Sequence, residues 1–216
     1  MPSLRRQPDD MPEFKAFVEE YWPQLGLPDS QDYSPSAHES VFYGAHEAIL
    51  HKHDYVGSEH LFLGVLRASG GSFHGIGQSL DIDDLARRVM RMSSNLVSPS
   101  EEHFARAAVE RQADAGSILR CLSERIEHGQ LVMTPRSVAN LRRATTLASD
   151  QHGRPTRADA EHLALAIAED QDGVVARAVR DGQPEQVQQF SRWVAGRIAW
   201  GPLLNLVESA EHPTER

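Results

Sequence analysis

The segment EHLFLGVL at residues 59–66 recurs in the second half of the chain as EHLALAIA at residues 161–168. Both segments begin with a glutamate and a histidine and continue as an uninterrupted run of small or apolar residues. Self-similarity of this kind is the signature of a repeated structural unit. The pair therefore predicts that two copies of one motif build most of the fold.

The similarity extends on both sides of these segments, over residues 33–92 and 133–198. Each copy opens with a hydroxyl residue before a proline, at Ser34-Pro35 and Thr134-Pro135, which is typical of a helix N-cap followed by proline in the first helical position. Apolar residues then recur at helical spacing in both copies. They are Ala37, Val41, Ala45 and Ala48 in the first copy, and Val138, Leu141, Ala144 and Ala148 in the second. With the repeated segment and a closing helix, each copy is predicted to contain about four short helices.

Three segments lie outside the copies. Residues 1–32 contain an amphipathic aromatic stripe, which predicts an added helix that packs against the rest of the chain. Residues 93–132 are predicted to be a helical insertion that starts after the N-cap residue Ser100, as one helix or as two that meet near Gly116. Residues 199–216 form a tail. We predict an all-α fold in which two four-helix repeats pack as one pseudo-twofold bundle, with the N-terminal helix and the insertion added to it.

Composition limits the function. The chain carries 22 Lys and Arg residues against 31 Asp and Glu residues, a formal net charge of −9, which argues against non-specific binding to nucleic acid. A single cysteine, Cys121, excludes an internal disulfide and a multi-cysteine zinc site. The sequence has no phosphate-binding P-loop motif, and no apolar run suits a bilayer span or a signal peptide. We expect a cytoplasmic protein that is not an enzyme and needs no cofactor or metal.

The first copy contains a longer motif, HDYVGSEHLFLGVLR at residues 53–67, and the second copy keeps TPR at 134–136 and GVVAR at 173–177. These motifs resemble the double N-terminal repeat of the Clp protein-unfolding ATPases, the ClpC branch above all. This sequence holds none of the ATPase modules of that family. The resemblance implies a free-standing docking module that receives substrates or adaptors without unfolding them.

The resemblance also implies a ligand. Repeats of the ClpC type bind phosphoarginine, the mark of proteins destined for degradation, through the glutamate that precedes the histidine of each repeat. The matching residues are Glu59 and Glu161, and the Ser58 hydroxyl is expected to assist at the first site. The chemistry is reasonable, because a carboxylate forms paired hydrogen bonds with a guanidinium and helix N-terminal amides suit a phosphoryl group.

The partners that the resemblance implies are phosphoarginine-bearing or damaged proteins, a Clp unfoldase, and cyclic-peptide antibiotics. The aromatic residue that precedes TPR in the family is Met133 here, so the pocket for cyclic peptides is altered. Neither nucleic acid nor a membrane is an expected partner. The module would act as an adaptor that delivers cargo, or as a decoy that competes for it.

A different interpretation stays open. A glutamate in the first turn of a helix is favourable without any ligand, and the chain would then be a regulatory scaffold that binds an unrelated partner through its insertion. His60 and His162 are expected to pack or to cap their helices. His51 and His53 stand two apart at the end of a helix, a spacing that does not direct both rings to one metal ion.

Overall fold

A computed structural model of the protein describes residues 11–68, 82–93, 99–152, 156–170 and 172–180. Helices dominate this part of the chain, which confirms the predicted all-α class. They are α1 (Pro12–Ala16), α2 (Pro35–Leu50), α3 (Ser58–Ala68), α4 (Ile82–Ser93), α5 (Glu101–Glu110), α6 (Ala115–Glu127), α7 (Pro135–His152), α8 (Ala160–Glu169) and α9 (Val174–Arg180). None of these helices is both long and apolar enough to cross a membrane.

Helices α2 and α3 of the first copy approach each other very closely. A Cβ atom added at Gly64 of α3 would lie 2.1 Å from the Ser40 carbonyl oxygen and 2.5 Å from the Gly44 amide nitrogen, both in α2. The two helix backbones therefore touch directly. In the second copy, α7 and α8 carry buried alanines, Ala144 and Ala166, at the positions that match the two glycines.

Short parallel pairings connect the copies. Strands β1 (Tyr55–Val56) and β2 (Val132–Met133) join the segment before α3 to the segment before α7. A single bridge between Tyr33 and Ala158 joins the segment before α2 to the segment before α8. In both places the entry to the first helix of one copy pairs with the entry to the second helix of the other copy.

The predicted N-caps form with one exception. The Thr134 hydroxyl accepts a hydrogen bond from the Ser137 amide at 3.2 Å, as a cap does. Ser34 occupies the N-cap position of α2 but makes no cap hydrogen bond. Its hydroxyl lies 2.9 Å from the hydroxyl of Ser36 instead, so the expected cap interaction is wrong at this helix.

The N-terminal segment packs against the first copy. Helix α1 continues as a π-helical turn, Phe17–Tyr21, and its aromatic side chains are buried. Phe14 and Phe17 both meet the Phe42 ring of α2 edge to face, with centroids 4.7 and 5.3 Å apart. This is the packing role that the aromatic stripe predicts.

The insertion consists of two helices, α5 and α6, rather than one. Ser100 caps α5 by accepting a hydrogen bond from the His103 amide, as predicted. The large apolar side chains of the insertion are buried in the common core; they are Phe104, Ile118, Leu122 and Ile126. The insertion is thus part of the body of the molecule. The predicted closing helix of the second copy, within 187–198, and the tail 199–216 lie outside the described residues.

The contact between α2 and α3 yields a stability prediction. Gly64→Ala should lower the free energy of unfolding by about 2 kcal/mol or more, because the new methyl group meets backbone atoms that cannot move without separating the helices. Urea denaturation monitored by circular dichroism measures this change.

Gly116→Ala serves as the control, because the nearest atom to a Cβ at Gly116 belongs to the Asp114 side chain at 3.2 Å. Its effect should stay within about 1 kcal/mol of zero. Equal stability of Gly64→Ala and the wild type would contradict the close approach of the two backbones.

Candidate functional site

The N-termini of α3 and α7 meet at one place, which we call the α3–α7 junction (residues 57–59 and 134–137). The Thr134 amide donates to the Val56 carbonyl at 3.1 Å, and the buried Ser137 hydroxyl donates to the same carbonyl at 2.8 Å. These two bonds fix the start of α7 against the turn that precedes α3. Two of the predicted site residues, Ser58 and Glu59, lie in this junction.

The Glu59 carboxylate folds back over Gly57. A Cβ atom at Gly57 would lie 2.4 Å from both carboxylate oxygens of Glu59, so a glycine is needed for this arrangement. The Glu59 side chain is only 9% exposed. Burial raises the pKa of its carboxyl group, against the opposing effects of its own backbone amide, Arg136 and the Ser58 hydroxyl.

A guanidinium belongs to the same junction. Arg136 follows Pro135 in the first turn of α7, and its positive charge favours the ionised form of Glu59. Its Nε atom lies 3.0 Å from Asp170 Oδ2 at the end of α8, and about half of its side chain is exposed. The α3–α7 junction therefore offers a buried carboxylate and an accessible guanidinium.

The third predicted residue, Glu161, lies in a different junction, between the N-termini of α8 and α2. There the Asp159 carboxylate accepts hydrogen bonds from the Glu161 and His162 amides at 2.9 and 3.0 Å. Burial tends to raise the pKa of Asp159, but its bonds to His162 hold the net value below the usual range. Position 159 matches Gly57 of the first copy, so the acid that caps α8 has no counterpart before α3.

The two histidines of the repeated motif act as helix caps, as predicted. The Gly57 amide donates to His60 Nδ1 at 2.9 Å, whereas His162 Nδ1 lies 2.7 Å from the Asp159 carboxylate and 3.3 Å from the Asp159 amide nitrogen. The other ring nitrogen of His60, Nε2, lies 2.8 Å from Nδ1 of a second histidine, His53. Among the described residues, no group of three or more potential ligands could hold a metal ion.

A second polar cluster lies where the insertion meets α2. Glu47 is fully buried, and its carboxylate accepts hydrogen bonds from Arg111 Nε and Nη2 at 2.7 and 2.8 Å. The Arg67 guanidinium lies 3.5 Å from the same carboxylate and donates to the Arg111 carbonyl. Burial alone raises the pKa of Glu47, but the hydrogen bonds from Arg111, together with the nearby His51 ring, lower it to about 2. We call Glu47, Arg67 and Arg111 the Glu47 cluster.

Sequence reasoning missed both the Glu47 cluster and the part played by Arg136. The matching position to Glu47 in the second copy is the buried Leu147, so this difference between otherwise similar copies was a usable signal. Arg136 stands in the TPR segment, but its proximity to Glu59 depends on the pairing of β1 with β2. That pairing joins residues far apart in the chain and leaves no local pattern.

A polar cavity of about 580 Å³ lies beside the Tyr33–Ala158 bridge. Its walls are Gln31, Asp32, Thr145, Thr146, Ser149, Thr156 and Arg157. The Thr145 and Thr146 hydroxyls already donate to the Arg142 carbonyl at 2.7 and 3.3 Å. None of the predicted site residues lines this cavity.

The chain matches no family model and no curated protein. The resemblance of its motifs to the Clp N-terminal repeat therefore stays a prediction.

The Glu47 cluster yields a second stability prediction. Arg111→Met should lower the free energy of unfolding by about 3–5 kcal/mol at neutral pH, because it leaves a buried carboxylate without its main partner. Glu47→Leu combined with Arg111→Met should recover at least half of the loss, since α7 accommodates Leu147 at the matching position. Chemical denaturation of the wild type, both single variants and the double variant gives the coupling energy. Additive effects of the two changes would contradict the interaction.

The geometry at Gly57 also predicts a change in titration. Gly57→Ala should expel the Glu59 carboxylate into water, because the new methyl group needs the space that the carboxylate occupies. The pKa of Glu59 should then fall toward its ordinary value, since burial is the main cause of its elevation. Carboxyl chemical shifts followed by NMR against pH report this value. An unchanged pKa in a folded Gly57→Ala variant would show that the carboxylate does not lie over Gly57.

Proposed function

We propose that this protein is a non-enzymatic binding module of protein quality control, which binds phosphoarginine-marked protein segments at the α3–α7 junction. It would act as an adaptor or a decoy in the Clp proteolysis system. The observation that carries the proposal is that the buried Glu59 carboxylate and the exposed Arg136 guanidinium belong to one junction of two helix N-termini, where the Arg136 charge favours the ionised carboxylate.

The two charged groups suit the two ends of a phosphoarginine side chain. The Glu59 carboxylate would accept paired hydrogen bonds from the ligand guanidinium. Arg136 would donate to the phosphoryl oxygens, which a guanidinium binds in the same forked geometry. Asp170 holds Arg136 at the junction until the ligand arrives.

Binding would change the position of Glu59. Its carboxylate lies over Gly57, and its own backbone amide favours the ionised form. A phosphoryl oxygen is a strong acceptor for an amide at a helix N-terminus, so it would replace the carboxylate there. The released carboxylate would then face the ligand guanidinium. Unmodified arginine lacks the group that makes this exchange and should bind more weakly.

The junction between α2 and α8 suits this ligand less well. Asp159 already occupies the amides at the start of α8 and brings a negative charge that repels a phosphoryl group. The Ala160 amide faces the Ser36 hydroxyl at 3.3 Å. Glu161 is therefore a secondary site in this proposal.

The alternative, a scaffold that binds a partner through its insertion, has less support. The large apolar side chains of α5 and α6 pack into the core, and the exposed large hydrophobic residue on these helices is Val109, at 71% exposure. Removal of residues 93–131 would unfold the molecule, so surface substitutions are the suitable test. Met133, at the altered position of the cyclic-peptide pocket, lies half-buried in β2.

Calorimetric titration with phosphoarginine tests the proposal. Glu59→Ala should weaken binding by about 10- to 100-fold, which corresponds to the loss of a charged hydrogen bond worth about 1.5–3 kcal/mol. Arg136→Gln should weaken it by about tenfold or more. Glu161→Ala should have little effect on the tighter site.

Arg143→Gln is the matched control for Arg136→Gln. Arg143 also lies on α7 and pairs with an acid near the end of α8, Glu169, at 2.8 Å. This variant should bind phosphoarginine like the wild type, with melting curves as a folding control. The proposed function would be wrong if the wild type did not bind phosphoarginine. Equal binding of phosphoarginine by the folded Glu59→Ala variant and the wild type would show that the ligand does not bind at the assigned site.

A further inference from the structure

Two histidine side chains of the first copy contact each other through their ring nitrogens near the start of α3. His60 is fully buried, and its Nε2 atom lies 2.8 Å from Nδ1 of the half-buried His53. On its other side, His60 Nδ1 faces the Gly57 amide nitrogen at 2.9 Å. The His53 ring also stacks on Tyr55 of β1, with an interplanar angle of 7°.

The hydrogen positions follow from the chemistry of the three groups. A backbone amide can only donate, so His60 Nδ1 must accept the Gly57 hydrogen and carries no proton. A neutral His60 then has its proton on Nε2 and donates it to His53 Nδ1. His53 must accept at that atom, so it is neutral as well. The chain from Gly57 through His60 to His53 is therefore complete only when both rings are uncharged.

Protonation breaks this chain at a defined point. A proton on His53 Nδ1 would face the Nε2 hydrogen of His60, and a proton on His60 Nδ1 would face the Gly57 amide hydrogen. His53 is the half-buried ring and the first that a proton from solvent can reach. Once His53 turns away, His60 has a buried N–H group without an acceptor, which is unfavourable.

We propose that Gly57, His60 and His53 form an acid-released latch, which holds the turn before α3 closed at neutral pH and opens it as His53 and His60 take up protons. The latch controls the placement of Glu59, because Ser58 and Glu59 are the two residues between Gly57 and His60 in the chain. This inference does not depend on which ligand the α3–α7 junction binds.

The surrounding charges do not change the direction of the response. The titratable and charged groups around the two rings are Glu47 from α2, His51 just after it, Asp54 before β1, Tyr55 in β1, Glu59 from α3, His103 from α5, and Arg136 beyond Glu59. Burial lowers the pKa of His60 well below its ordinary value, with His53 and His51 acting in the same direction. Burial and His51 also lower the pKa of His53, against a smaller opposite effect of Asp54.

The sign of the pH dependence follows. Because both histidines bind protons more weakly in the closed state, the closed state is fully favoured above about pH 6.5 and loses stability as the pH falls below that value. Each histidine that takes up a proton on opening should contribute about a tenfold change in the opening equilibrium per pH unit.

Hydrogen exchange of the Gly57 amide tests the latch on the full chain. Its protection factor, corrected for the intrinsic exchange rate, should fall at least about tenfold between pH 7.5 and pH 5.5. His53→Gln keeps an acceptor for His60 in its carboxamide oxygen but does not titrate. In this variant the factor by which the Gly57 protection factor falls over the same pH range should be about ten times smaller than in the wild type.

The control variant is His128→Gln. His128 is exposed after α6, and its Nδ1 atom contacts the Glu124 carbonyl at 2.6 Å, so this variant should keep the wild-type profile. An identical pH profile for His53→Gln and the wild type would overturn the proposal. So would a proton on His60 Nδ1 in long-range ¹H–¹⁵N NMR spectra of the wild type at pH 7.5, a measurement that needs no variant to fold.

Discussion

Backbone contact between α2 and α3 is the constraint on which the rest of the first copy depends. Gly44 and Gly64 allow the two helices to approach until main-chain atoms touch. This approach holds His60, at the start of α3, next to His53, which follows α2. It also brings Arg67, at the end of α3, to Glu47 of α2. The polar groups of the interior are thus positioned by a contact that contains no polar side chain.

The interior of the first copy is unusual in its charge. A fully buried carboxylate with two guanidinium partners is seldom a better source of stability than an apolar core, because the loss of hydration offsets most of the attraction. Such a cluster instead favours one packing arrangement of the helices over the alternatives. Arg111 ends α5, so its bond to Glu47 specifies where the insertion docks. The second copy has the apolar Leu147 at that position and makes no such connection there.

Much of the fold could be predicted because its signals are local. Ser34 and Thr134 before proline mark the starts of α2 and α7, and Ser100 marks the start of α5. Helical spacing was enough to place the aromatic residues of the N-terminal segment in the core. The cap interaction of Ser34 is absent, and its hydroxyl lies within hydrogen-bond distance of the Ser36 hydroxyl instead.

The site was predictable only in part. Glu59 and Ser58 stand in a motif with its own spacing, so they could be selected. Arg136 joins them through the pairing of β1 with β2, and the acid that fills the start of α8 is Asp159, which precedes the matched glutamate. A repeat read from sequence suggests two equivalent sites. The structure makes them different, because glycine stands before one helix and aspartate before the other.

The exchange of short pairings between the copies has a consequence for the order of assembly. As the ribosome releases the chain from its N-terminus, β1 has no strand partner until the segment that forms β2 has been synthesised. The segment before α2 waits longer still, for Ala158. Contacts between residues so distant in sequence are slow to form, since the entropy of closing long loops must be overcome first. The first copy therefore completes its own helix entries only after the second copy has been synthesised as far as Ala158, and the two copies mature as one unit rather than in succession.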